Sequence, residues 1–173
     1  MIRARMMVAA LLICGAVVLS AETLPGTDGE NLLGQKVKIV DSLKGKIGVL
    51  VIGYSKASGD ITAAWEKRLS TDYAGNTAVT IYQIPMLEAA PKFIRGMIIS
   101  GMKKGVPAAK QSSFIVVVND EDEWKRVSGY QKGEDAYVVV VDKAGQIRQH
   151  SAVDAKLSDY SSVHQQIEQL MTR

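Results

Sequence analysis

Residues Ile47 to Tyr54 read IGVLVIGY, an apolar run rich in β-branched positions with no polar residue to mark a solvent face. That pattern predicts a central strand covered on both sides. Beyond it Ile61, Ala64, Trp65 and Leu69 recur at helical spacing, with Ser58 or Asp60 placed to cap the helix start. TAVTIYQI, closed by Pro85, predicts a second strand, and PKFIRGMIISGMKKG a longer helix with Pro91 in its first turn and Gly105 near its end. SSFIVVVND follows as a third strand and EDEWKRVSGY as a short helical or turn segment. DAYVVVVDKAGQIRQHS then makes two strands around a Lys143-Ala144-Gly145 turn. In the last segment Val163, Ile167, Leu170 and Met171 are spaced as the apolar side of an amphipathic helix. Upstream, GQKVKIVDSLKGK alternates at Val37 and Ile39 before a turn at Gly45, a short strand or hairpin laid against the domain. Residues 22–31, rich in Pro, Gly, Thr and Asp, are expected to form an irregular lead-in. Strands alternating with helices predict an α/β sandwich around a mixed sheet over residues 32–173.

The N-terminus changes the picture of where this domain works. Arg3 and Arg5 precede an uncharged stretch from Met6 to Leu19 and the small residues Ser20 and Ala21. This reads as a signal peptide over residues 1–21, its apolar core of about fourteen residues shorter than the roughly 20 of a permanent span, and it predicts a periplasmic or secreted protein, the alternative being an uncleaved N-terminal anchor. Leu11-Leu12-Ile13 before Cys14 is no lipidation site, which would need a small residue next to the cysteine. Cys14 is the only cysteine, so cleavage at residue 21 leaves none and removes disulfides, thiol catalysis and thiolate metal ligands together. Without Arg3 and Arg5 the balance is 19 basic to 18 acidic residues, which gives no electrostatic case for nucleic acid.

GQKVKIVDSLKGKIGVLVIGYSK resembles the first strand, Gly-Lys turn and central strand of exported thioredoxin-like and peroxiredoxin-like proteins, and DAYVVVVDKAGQIR resembles their closing hairpin. The resemblance implies a thioredoxin-like three-layer α/β/α sandwich with a mixed central β-sheet. Two cysteine-poor branches are similar to this chain. The exported bacterial YtfJ family shares FIRG, KK, SSFIVVV and Trp124 in that order ahead of the hairpin. The thioredoxin-like assembly factor family of the mitochondrial ATP synthase shares Trp65 and AYVVVVDKAGQIR. The YtfJ likeness ranks first because an export signal fits it directly.

Redox members of this superfamily carry Cys-x-x-Cys where this chain has Ser55-Lys56-Ala57-Ser58, at the joint between the central strand and the next helix. A serine hydroxyl gains no useful ionisation from a helix end that contributes about 1 kcal/mol, so these serines do not replace a thiolate. The proline that precedes the hairpin strand in redox members is replaced by Gly133-Glu134-Asp135-Ala136. Two separate losses predict a redox-inactive site.

Other chemistry is weakly encoded. A hydrolytic Ser55 needs a general base, and the candidates His150 and His164 lie on the hairpin and the terminal helix, with no nucleophile-elbow sequence nearby. Ser100-Gly101-Met102-Lys103 has Ser-x-x-Lys spacing without its companion motifs and reads as a chance match. NDEDEW, Asn119 to Trp124, gathers carboxylates but fails the calcium-loop spacing and reads as an acidic helix start. Two histidines and no mature cysteine predict no metal site, and no cofactor is implied.

The expected function is therefore contact: an exported, redox-inactive polypeptide-binding, chaperone or assembly-type module with a protein partner. Its expected surface comprises Tyr54, Ser55, Lys56 and Ser58 of the joint with Glu134, Asp135 and Ala136 opposite. The helix bearing Phe93, Ile94, Arg95, Met97, Ile98 and Met102 is a candidate partner helix, and contact of its basic, methionine-bearing face with a membrane is the less favoured reading. The default for its apolar stripe is packing on the domain's own sheet, with Ile99 on the far side. The alternatives are a serine-dependent hydrolase centred on Ser55 or an enzyme of this superfamily with non-thiol chemistry.

Overall fold

The computed structural model describes residues 22–173. The expected signal peptide over residues 1–21, with Cys14, lies outside the described residues. The chain forms β1 (Asp28–Asn31), β2 (Lys36–Lys38), α1 (Ile39–Ser42), β3 (Ile47–Gly53), α2 (Gly59–Asp72), β4 (Val79–Pro85), α3 (Lys92–Gly105), β5 (Ile115–Val116), α4 (Glu121–Ser128), β6 (Ala136–Val141), β7 (Ile147–Val153) and α5 (Tyr160–Met171).

Every residue of β3 is buried, as its unbroken apolar run requires. It pairs in parallel with β4, Ile47 opposite Val79 through Gly53 opposite Pro85, and antiparallel with β6, Gly48 opposite Val141 through Gly53 opposite Ala136. β7 closes the order β4-β3-β6-β7. Alternation then deals side chains to two cores. Ile47, Val49, Val51, Ala136, Val138 and Val140 face Trp65 and Leu69 of α2 with Val163, Ile167 and Leu170 of α5. Leu50, Ile52, Tyr137, Val139 and Val141 face Ile39 of α1 with Trp124 and Val127 of α4. The result is a three-layer α/β/α thioredoxin-like sandwich with a mixed central sheet.

Three local expectations are corrected. The lead-in over residues 22–31 is not irregular throughout: Asp28–Asn31 is a strand, because β2 and β5 pair with it on either side and override a polar DGEN sequence. The third strand shrinks to Ile115–Val116 and joins β1 and β2 in a small sheet. Parallel bridges Gln83 to Phe114 and Met86 to Val117 set it beside β4, so the small sheet continues the large one. Ser58 occupies the position before α2, but its hydroxyl makes no capping bond.

A further correction concerns α3. Its inward face is Ile98, Ile99 and Met102, packed with Val106 on Leu32, Leu87, Phe114 and Val116 at the sheet edge. Ile99 is thus inside, while Phe93 and Met97 point to solvent. Arg95 fixes this rotation by donating from Nε to the Ala90 carbonyl at 2.8 Å and from Nη2 to the Glu88 carbonyl at 2.7 Å.

Two outcomes test this packing. A Cβ built on Gly48 would lie 2.6 Å from Val141 Cγ2 and 2.9 Å from Leu43 Cδ1, so Gly48→Ala is expected to lower stability by about 1–3 kcal/mol in urea unfolding. In the β6–β7 turn, burial would raise the Asp142 pKa, but backbone N–H groups of Gln146 and Ala144 and the Arg148 guanidinium outweigh it and hold it below the ordinary 3.8. Its stabilisation is full above the unfolded value and lost as pH falls through the folded one. Urea midpoints measured on acidification should therefore fall less steeply in Asp142→Asn than in the wild type.

Candidate functional site

The joint leaves the sheet where β3 ends beside β4 and β6. Met86 N–H donates to the Gly53 carbonyl at 2.8 Å, holding the loop after β4 against it. Gly53 is needed there by close approach: a Cβ would lie 2.7 Å from Ser58 Oγ. Ser58 fills that space and is fully buried.

The two hydroxyls have different partners. Ser58 Oγ donates back to the Ser55 carbonyl at 2.9 Å, which closes the turn that starts α2. Ser55 is exposed, and its Oγ donates across to the Gly133 carbonyl at 2.7 Å while accepting Ala57 N–H at 3.1 Å. The joint is therefore tied to the loop opposite by a hydroxyl where redox relatives carry sulfur.

That loop is held from below. Tyr137, fully buried, accepts N–H groups of Gln131 and Lys132 at 2.9 and 3.0 Å and donates to the Lys132 carbonyl at 2.8 Å. Its ring is 5.6 Å from that of Tyr54 and 5.7 Å from that of Tyr130, and Tyr54 meets Tyr130 edge-on at 5.0 Å. Tyr54 OH shares a 2.8 Å hydrogen bond with Ser128 Oγ. Burial pushes the Tyr54 phenol far above its ordinary range, although the Ser128 bond opposes this, so the group is neutral at physiological pH. Lys125 Nζ lies 5.0 Å from the Tyr130 ring centre and 2.7 Å from Glu121.

These contacts revise the expected surface. Tyr54, Ser58 and Ala136 are buried and support the rim from beneath. Ser55, Lys56 and Glu134 are exposed and Asp135 half-buried, with Lys132 Nζ 3.6 Å from it. Of the expected partner helix, Phe93 and Met97 are free, whereas Arg95 is engaged with backbone carbonyls and Met102 packs inward. The tyrosine cluster was missed because Tyr130 lies outside any periodic segment and Tyr137 reads as one more strand residue; the pair flanking QKGEDA was the available signal.

No general base reaches Ser55 among the described residues. His150 pairs with Val139, which stands opposite Leu50. It is thus about 10 Å down the strands from Gly53 and two strand spacings aside. His164 sits on α5 beside Tyr73 and Tyr160, with Nε2 3.7 Å from Glu168. Of the NDEDEW acids, Asp120 and Glu121 have protein donors. Asp120 accepts from Thr27 at 2.7 Å, and Glu121 accepts Ala89 N–H at 3.2 Å while Glu88 accepts the N–H of Glu121 at 2.6 Å.

A model of the family described as ATP10 protein matches residues 19–170. No curated protein matches the chain in sequence. Among solved structures, the exposed lipoprotein thioredoxin Etrx1 of Streptococcus pneumoniae superposes with a TM-score of 0.59 at 14% identity, covering 83% of this chain and 98% of its own. BsSco, of the Sco family of cytochrome c oxidase assembly proteins, has a TM-score of 0.59 at 13% identity over 88% and 95%. MTB DsbF, in mixed oxidised and reduced forms, has 0.53 at 15% identity over 86% and 99%. At these identities the structures establish the fold, and they add nothing to the YtfJ likeness.

Removing the Tyr137 hydroxyl leaves three backbone groups without a partner. Tyr137→Phe is expected to cost about 1–3 kcal/mol in urea unfolding, whereas exposed Ser55→Ala should cost about 1 kcal/mol or less.

Proposed function

The chain belongs to the ATP10 protein family, and from that premise and the hydroxyl-tied joint we propose that it is an exported, redox-inactive assembly-type module that works by binding a polypeptide. The observation that carries this reading is the Ser55 to Gly133 bond: the position that performs thiol exchange in redox relatives holds a satisfied hydroxyl, and residues 22–173 contain no cysteine. What the joint still offers is a rim of Ser55, Lys56 and Glu134 on a rigid aromatic base. Exposed polar groups on preorganised backbone suit docking, since little ordering entropy is lost on binding.

The likeness of Trp65 and AYVVVVDKAGQIR to the ATP synthase assembly factors supports the same reading. So does the fold shared with BsSco, of a family of cytochrome c oxidase assembly proteins. The signal-peptide pattern supports work in the periplasm or outside the cell.

A photo-crosslinking residue at position 56 or 134, in cells that express the full chain, should yield one discrete protein adduct. The same residue at position 143, in the turn between β6 and β7, should yield none. Equal labelling at all three positions, or reduction of insulin by the purified exported protein, would overturn the proposal.

A further inference from the structure

The outer face of α3 lacks an intramolecular partner, and its chemistry is unlike the rest of the surface. Phe93 is 88% exposed and Met97 70%. At 100° per residue, Phe93, Met97, Ser100 and Lys104 share one arc, opposite the face that packs on the sheet edge. Gly96 and Gly101 flank that arc, and a Cβ at either would meet nothing within 4 Å, so the two apolar side chains stand clear of their neighbours.

Charge is segregated onto the same element. Residues 91–110 contain five basic residues and no acidic one, while the remainder of 22–173 contains 14 basic against 18 acidic. Lys110 pairs with Glu66 at 2.6 Å, and Arg95 is bound to carbonyls. Lys92, Lys103 and Lys104 are exposed, with no ion pair among the described residues.

We propose that this face of α3 docks on an anionic lipid bilayer, with Phe93 and Met97 entering the headgroup boundary and Lys92, Lys103 and Lys104 meeting lipid phosphates. Complementarity of charge selects this occupant: an acid-free cationic helix on an otherwise acidic body is drawn to, and oriented by, a negative surface. Shape argues the same way. Protein interfaces are depleted of lysine and need a broad packed patch, whereas two protruding apolar side chains on a convex ridge suffice for a bilayer, which conforms to them. No helix among the described residues is long and apolar enough to cross a membrane, so the contact is with the lipid surface.

The inference is independent of the rim at Ser55, and its test reads α3 alone. In the full chain carrying Cys14→Ser and Ser100→Cys, an environment-sensitive dye at position 100 should shift to the blue with vesicles of phosphatidylcholine containing roughly a third phosphatidylglycerol. It should not shift with phosphatidylcholine alone, nor should the same dye at position 143 respond. Phe93→Ser with Met97→Ser should weaken the dye-reported binding about tenfold or more. Charge reversal of Lys92, Lys103 and Lys104 to Glu should abolish it, and replacement by Arg should preserve it. Circular dichroism checks that each variant is folded. No shift with the anionic vesicles, or a shift unaffected by the Phe93 and Met97 changes, would overturn the proposal. A shift that follows protein concentration without vesicles would also overturn it, assigning the face to a second copy of the chain.

Discussion

Covering β3 on both faces is the constraint from which the rest of the architecture follows. A strand shut away from water must satisfy its backbone N–H and C=O groups with its neighbours, and β3 pairs with β4 along its whole length on one side and with β6 from Gly48 to Gly53 on the other. Helices must then lie over both faces, because Val49 and Leu50 point in opposite directions and neither is exposed. The chain leaves β3 at the one end where β4, β6 and the start of α2 converge, and any site at that joint inherits a rigid frame.

Within that frame, two serine hydroxyls tie the joint together. A hydroxyl is smaller than a thiol and bonds strongly to carbonyls, so Ser58 turns inward over Gly53 and Ser55 reaches across the cleft. Three tyrosines and Ser128 then stiffen the opposing loop through edge contacts and backbone bonds. Each hydroxyl proton at the joint is held by a carbonyl, Ser55 by that of Gly133 and Ser58 by that of Ser55. One scaffold can thus carry different side chains at this joint, and fold alone does not decide what they do.

The sheet edge makes the second contribution. Because the small sheet of β2, β1 and β5 extends the main sheet past β4, α3 has its own minor core and need not bury both its apolar arcs. Its inward arc is satisfied by Ile98, Ile99 and Met102, leaving Phe93 and Met97 outside on the most basic stretch of the domain. The domain thus presents a polar rim at the joint and a cationic apolar ridge on α3.

Strong periodicity was legible in the amino-acid sequence. The apolar runs of β3 and β6, the spacing of Val163, Ile167 and Leu170, the acidic start of α4 and the Lys143 to Gly145 turn each follow from local rules, and together they specify the layers. The missing cysteines by themselves exclude thiol chemistry for residues 22–173. Only tertiary structure decided whether Tyr54 and Ser58 face water, which arc of α3 turns inward, and that a polar DGEN segment becomes a strand. Those outcomes depend on long-range pairing: β1 exists because β2 and β5 flank it, Ser58 is buried because Gly53 lacks a side chain, and α3 is rotated by Arg95 reaching the carbonyls of Glu88 and Ala90. Local spacing sets which residues share a face, but the neighbour that covers a face is chosen by the folded chain.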